Sequence, residues 1–198
     1  SSDLAYVQAF ASFIGPDRDI PAPDVYTNQM IMGWMANEYG AMVGHPTPAV
    51  ITGKPLVLGG SLGREDATGR GGYYVLRLLE KELGVSPEKT RVVLQGFGNV
   101  GYHCARLLHE AGFRIIGLSD STSAIYDSDG IDPVAAMEHK RRTGALAGAS
   151  TNGKTVEMSN AELLESECDL LVPAALEHQI TEENADNIKA PVILELAN

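Results

Sequence analysis

The sequence predicts an α/β fold built on a doubly wound parallel sheet, with a helical segment ahead of it. Three observations carry that expectation. Short apolar runs, Val92-Val93-Leu94, Ile115-Ile116-Gly117-Leu118, Leu170-Leu171-Val172 and Val192-Ile193-Leu194, alternate with longer segments of helical period. That alternation places parallel strands between helices. The first run leads into Gly96-Phe97-Gly98-Asn99-Val100-Gly101, where a helix begins, and the second ends in an acid, Asp120.

Taken in order, Leu4 to Ile14 reads as a helix with Leu4, Val7, Ala11 and Ile14 on one face, broken at Gly15-Pro16. In Asp17 to Asp24 the prolines remove donors and fix φ, so the stretch is a stiff extended loop. Thr27 is placed as the cap of a helix to about Tyr39, with Met30, Ile31, Trp34 and Met35 inward and Gly40 past its end. Residues 41–65 show no period and are expected to wander over the surface. Ala67 to Gly72 opens a long helix through Tyr74, Val75, Leu78 and Leu79, closed by Gly84. Each glycine in that first turn disfavours the helix by up to about 1 kcal/mol. Something must therefore approach this backbone closely, either a neighbouring helix or a cofactor. Beyond Asp120, Asp127 to Gly130 is a turn, Asp132 and Pro133 start a helix, and Gly144 to Gly153 is a loop. Ser159 and Thr181 cap short helices, and Val192 to Leu196 is the last strand.

The glycine loop points to chemistry. Gly96 permits a tight turn, Gly98 lets backbone N–H groups approach a diphosphate, and Gly101 lets the new helix pack on the strand. The helix start adds unpaired N–H groups and the positive end of its dipole. A glycine turn without a ligand is the plain alternative. It is disfavoured because strand, helix and terminal acid coincide, the context of a Rossmann-type dinucleotide fingerprint. Gly96, Phe97, Gly98, Asn99, Val100 and Gly101 are therefore candidate cofactor contacts, as are Ala174, Ala175 and Asn198 at other strand ends. Asp120 is expected to accept hydrogen bonds from the adenosine ribose and to repel a 2′-phosphate, which favours NAD. Ser121, Thr122 and Ser123 could bind a phosphate, so NADP stays open, but the nearest basic residue after Asp120 is Lys140.

A net charge of −11 argues against nucleic acid or an anionic membrane as partner. No stretch approaches the ~20 apolar residues of a membrane span. The two cysteines and five histidines show no metal spacing, so no metal site is expected, and buried free thiols suit a cytoplasmic protein.

The chain resembles the glutamate dehydrogenases of the amino-acid dehydrogenase superfamily. The matching stretches are Gly15 to Asp24, Gly59 to Arg64 with Ala67 to Gly71, Gly96 to Gly101, Pro173 to Ala175, and Glu195 to Asn198. The resemblance implies reversible oxidative deamination of L-glutamate to 2-oxoglutarate and ammonia, with hydride passing to a nicotinamide, in a homohexamer. It makes Asp24 a catalytic proton relay, Thr68 and Asn99 dinucleotide contacts, and Asn198 a residue beside the nicotinamide. A loop carboxylate is a competent relay for imine formation and hydrolysis. On residues alone Asp24 reads rather as a cap near Thr27 or a partner of Arg18, and it is the resemblance that makes it catalytic.

The family's glycine-rich segment bearing its catalytic lysine is expected ahead of Ser1, and further helices after Asn198. The organisation expected is thus a connecting segment at 1–53, carrying Asp24, and a dinucleotide-binding domain at 54–198, truncated at its C-terminal end. Such a chain should bind a dinucleotide without turning over glutamate alone. The alternatives are a leucine, phenylalanine or valine dehydrogenase on the same scaffold, and a non-catalytic dinucleotide-binding module.

Overall fold

Residues 2–24, 26–150 and 153–197 are described by a computed structural model, in two units, Ser1–Glu65 and Asp66–Asn198. The division falls later than 53/54 because the stretch after Lys54 packs within the first unit. Gly33 lies against Leu58 and Pro55, and Gly59 against Pro48.

In the first unit, α1 (Ser2–Phe10) and α2 (Gln29–Val43) enclose a core of Val7, Ile14, Met32, Met35, Tyr39, Val50 and Ile51. The inward face of α2 differs from the expected one. Met32, Met35 and Tyr39 are buried at helical spacing, while Met30 and Trp34 stand exposed. The cap is Asn28, whose side chain accepts from the Ile31 N–H, and the helix runs through Gly40 to a left-handed Gly44. Gly40 serves packing instead: a Cβ there would press on the His45 carbonyl. Residues 41–65 are less surface-bound than expected. They form 3-10 turns at Pro48–Val50 and Leu56–Leu58 and bury Val50 and Ile51.

The second unit begins with α3 (Ala67–Leu83), ended by a left-handed Gly84. It continues through β1 (Arg91–Gln95), α4 (Asn99–Glu110), β2 (Arg114–Ser119), β3 (Ala124–Tyr126) and α5 (Pro133–Thr143). After these come β4 (Val156–Met158), α6 (Asn160–Leu164), β5 (Leu170–Pro173) and β6 (Val192–Ile193). Caps match their residue chemistry. Asp132 accepts from the Val134 and Ala135 N–H groups, and Ser159 makes a capping box with Glu162. At Thr181 a turn and a 3-10 segment, Ala185–Asn187, replace the expected helix, because Asn184 takes the Thr181 N–H through its side chain.

The six strands run in the order β4-β3-β2-β1-β5-β6. β1, β2, β5 and β6 are parallel, while β3 and β4 add an antiparallel edge that the sequence did not announce. Side chains alternate across the sheet. Val92 and Leu94 enter the cluster with α3 and α4, and Val93 enters the one with α6. A register shift after Val92 lets Ile115 and Leu118 of β2 share the first cluster while Ile116 joins the second. Two of the crowded glycines of α3, Gly69 and Gly72, are explained by protein neighbours, while Gly71 faces open space. A Cβ on Gly69 would come 2.7 Å from the Val100 carbonyl of α4, and one on Gly72 would meet Leu196 at 2.5 Å. At Gly69 the close approach is that of the neighbouring helix, α4.

Candidate functional site

The strand order reverses at β1, whose neighbours are β2 on one side and β5 on the other. In such sheets the ligand crevice opens outside the carboxyl ends of the strands at this point. Three loops meet there, after β1, β2 and β5.

Gly96 takes φ +96, which a side chain rarely adopts, and donates its N–H to the Ser119 carbonyl at 3.1 Å. A Cβ there would also lie 2.8 Å from the Ala174 backbone. At Gly101 a Cβ would overlap the Gly96 carbonyl oxygen, so α4 can follow β1 this tightly only with glycine. Gly98 differs from both. It is the N-cap of α4, exposed and without a side-chain cap, and nothing lies within 4 Å of where its Cβ would be. Asn99 beside it is exposed and Val100 half-buried. The loop thus offers an open ledge at a helix start, which fits a diphosphate. Phe97 turns its ring into the core, edge-on to Tyr102 at 5.9 Å, so only its backbone faces the ledge.

Thr68 is exposed in the first turn of α3, which the Gly69 contacts hold against the start of α4. Ala174 is half-buried and Ala175 exposed at the end of β5, where Ala174 donates to the Gln95 carbonyl at 2.7 Å. Gln95 is buried and donates through Nε2 to Gln179 at 2.8 Å, tying the glycine loop's strand to the loop after β5. Ser121 is exposed beside Asp120. Asn198 lies outside the described residues.

Asp120 behaves differently from the ribose acceptor expected. Its side chain is only 3% exposed. Its Oδ1 accepts from the Thr122 N–H (2.9 Å), the Thr122 hydroxyl (2.8 Å) and the Ser123 N–H (3.1 Å). Its Oδ2 accepts from the Leu146 N–H at 2.9 Å and pairs with the Lys140 ammonium at 3.1 Å. Burial pushes the carboxyl pKa up, but the Thr122, Leu146 and Lys140 donors outweigh it and hold the group at about 2. Protein donors thus occupy both oxygens. Lys140 also donates to the Phe97 carbonyl at 3.1 Å, which brings a cation to the glycine loop. Sequence distance hid this residue. Its one local signal is membership of the basic last turn of α5, Lys140-Arg141-Arg142.

In the first unit Asp24 is exposed on the proline-rich loop. The Pro21 carbonyl accepts the Thr52 N–H at 3.0 Å, and the Pro23 ring packs on Gly53. The Asp24 carbonyl takes the Thr27 N–H (3.0 Å) and hydroxyl (2.7 Å). Within the first unit a cavity of about 690 Å³ runs along Gly33, Ala36, Gly40 and Gly44, and within the second one of about 400 Å³ lies by Arg114 and Asp132 at the amino end of β2. Among the described residues no group of three or more His, Cys, Asp or Glu is placed to hold a metal. No described helix is long and apolar enough to cross a membrane.

Comparison with known proteins agrees with this architecture. Residues 59–198 match the model of the glutamate/leucine/phenylalanine/valine dehydrogenase family, and residues 4–41 match its dimerisation domain. The chain is 46% identical to the NADP-specific glutamate dehydrogenase of Synechocystis sp., over 98% of this chain and 46% of that protein. It is 45% identical to the cryptic catabolic NAD-specific glutamate dehydrogenase of Bacillus subtilis, over 98% and 44%. A hetero-hexameric glutamate dehydrogenase from Thermus thermophilus, solved with leucine bound, superposes with a TM-score of 0.90 at 34% identity, covering 99% of this chain and 45% of that one. The glutamate dehydrogenase of Plasmodium falciparum gives 0.87 at 26%, covering 99% and 44%. The chain therefore spans less than half the length of the relatives it matches.

Proposed function

The chain belongs to the glutamate/leucine/phenylalanine/valine dehydrogenase family, and from that premise we propose that it is the dinucleotide-binding part of a glutamate dehydrogenase. The open ledge at Gly98 carries this reading. An uncapped helix start at the strand-order reversal supplies N–H groups and the positive dipole end to a diphosphate. The Gly96–Gly101 loop holds the diphosphate, Thr68 from α3, Ala174 and Ala175 contribute further cofactor contacts, and Asn198 is assigned beside the nicotinamide by family resemblance. The reaction is oxidative deamination of L-glutamate to 2-oxoglutarate and ammonia, for which the bound cofactor supplies the hydride acceptor. Asp24 relays protons during water attack and ammonia loss, and its proline-anchored loop supports that role by limiting the freedom of the carboxylate.

Glutamate is favoured over leucine, phenylalanine or valine because the named relatives are glutamate dehydrogenases. These relatives, at 46% and 45% identity, use NADP and NAD respectively, so overall similarity is neutral on the cofactor. Asp120 and the distance along the chain to the next basic residue favour NAD; Lys140, 3.1 Å from that carboxylate, offsets its charge and keeps NADP possible. A homohexamer fits the match of residues 4–41 to a dimerisation domain. A cytoplasmic setting fits the two buried free thiols, Cys104 and Cys168.

Titration with NADH and NADPH, read by nicotinamide fluorescence, tests the assignment. Enhancement that saturates below millimolar cofactor is expected. No signal from either cofactor at millimolar concentration refutes it.

A further inference from the structure

Gln95 closes β1 and immediately precedes the glycine loop. Its strand neighbours Val92, Val93 and Leu94 are fully buried apolar residues, and Gln95 itself is 6% exposed. A glutamine amide in such a place costs free energy unless it is bonded. Nε2 donates to Gln179 Oε1 at 2.8 Å, while Gln95 Oε1 has no partner among the described residues. The backbone carbonyl of the same residue accepts from the Ala174 N–H at 2.7 Å. One buried residue thus fastens both ends of the loop 174–179, the first through its main chain and the second through its side chain.

That loop is held in a conformation it would not choose alone. His178 takes φ +58, in the left-handed region that a side chain disfavours. Its flanks are pinned, since Gln179 Nε2 donates to the Glu177 carbonyl at 3.0 Å and Asn184 Nδ2 donates to the Gln179 carbonyl at 2.9 Å. A strained backbone and an unpartnered buried acceptor both cost stability, and they persist where the surrounding structure enforces a geometry. What is enforced here is the place of Ala174 and Ala175. A Cβ on Gly96 would lie 2.8 Å from the Ala174 backbone and 2.8 Å from the Ala175 side chain, so there is no slack between the two loops.

In a sheet of this order the adenosine half of a dinucleotide lies on the β2 side of the reversal and the nicotinamide half on the β5 side. We propose that Gln95 is a positioning residue for the nicotinamide half: it staples the loop after β5 at a fixed distance from the glycine loop without itself touching the cofactor. This inference rests on the dinucleotide reading above. A leucine at 95 would fill similar space but could not bond the far end of the loop. The ledge at Gly98 does not depend on the staple, because its N–H groups belong to the start of α4. The two halves of the cofactor should therefore respond differently when the staple is cut.

The test titrates NADH, by nicotinamide fluorescence, and ADP, by calorimetry, on the 198-residue chain and on Gln95→Leu, Gln179→Leu and the double variant. Each single variant should weaken NADH binding at least about tenfold and leave ADP within about twofold of the parent. The double variant should bind NADH no worse than the weaker single, since both substitutions remove the same bond. Gln179 is only half-buried and lies outside the strands, so its variant keeps the test in force if Gln95→Leu does not fold. A merely structural role would lower both affinities together, in step with the melting temperature. That result, unchanged NADH affinity, or additive losses in the double variant overturns the role of Gln95 while leaving dinucleotide binding intact. A parent chain that binds neither NADH nor ADP overturns both readings.

Discussion

Replacing Asp120 by Asn keeps the shape of the side chain and removes its charge, which isolates what the carboxylate does. Donors from Thr122, Ser123, Leu146 and Lys140 converge on its two oxygens. An amide has only one acceptor oxygen. If that oxygen stays with Thr122 and Ser123, the NH2 group opposes the Leu146 N–H and the Lys140 ammonium. One neutral hydrogen bond, about 1 kcal/mol, and one charge-assisted bond of roughly 2 kcal/mol are lost. The second figure is held low because Lys140, partly exposed, regains water. The titration of the acid gives a similar size. A carboxyl held at about 2, against about 4 when unfolded, corresponds to roughly 2–3 kcal/mol. The variant should therefore lose about 3 kcal/mol, or roughly 9 °C in Tm for a chain of this size. Because the folded pKa is depressed, this stability is complete above about pH 4. It fades as pH falls through the folded value of about 2. Urea unfolding followed by circular dichroism at pH 7, at about pH 4 and at about pH 3 measures the difference between parent and variant. A loss below about 0.5 kcal/mol at pH 7, or a difference that grows on acidification, would refute the account of Asp120 as a buried hub.

The glycine loop makes two contrasting predictions. Gly98→Ala should leave stability within about 1 kcal/mol of the parent, since nothing lies within 4 Å of the new methyl. NADH affinity should drop at least about tenfold as that methyl intrudes on the ledge, and unchanged affinity in fluorescence titration would remove the diphosphate from this position. Gly101→Ala must displace the Gly96 carbonyl, so its thermal melt should fall steeply or the second unit should fail to fold. A melt like the parent's would show that the loop can shift. In a complete enzyme bearing this segment, Asp24→Asn should lower kcat by at least about a hundredfold with near-normal cofactor affinity; retained turnover removes Asp24 from the chemistry.

Much of the fold could be read from local signals, because those signals travel with the chain. The first three strand runs, the glycine loop, the α3 boundary at Gly84 and the caps at Asp132 and Ser159 depend on neighbours within a few residues, and each lies where the sequence puts it. The last strand, expected to Leu196, instead ends at Ile193. Period alone was a weaker guide to facing. Met30 and Trp34 turned out exposed because Met32, Met35 and Tyr39 found the core. The strands β3 and β4, three residues each, are too short to show an alternation.

Residue types and their spacing along the chain were enough to identify a strand, a glycine loop, a helix start and an acid beyond the next strand. Folding alone settled the surroundings of that acid. Lys140, which looked remote from Asp120 in sequence, is delivered to its carboxylate by the return of α5 toward the glycine loop. Spacing along a chain records local hydrogen bonding and period. The charge that a ligand meets depends on which distant side chains the packed elements bring within a few ångströms, and on which of them is left facing water.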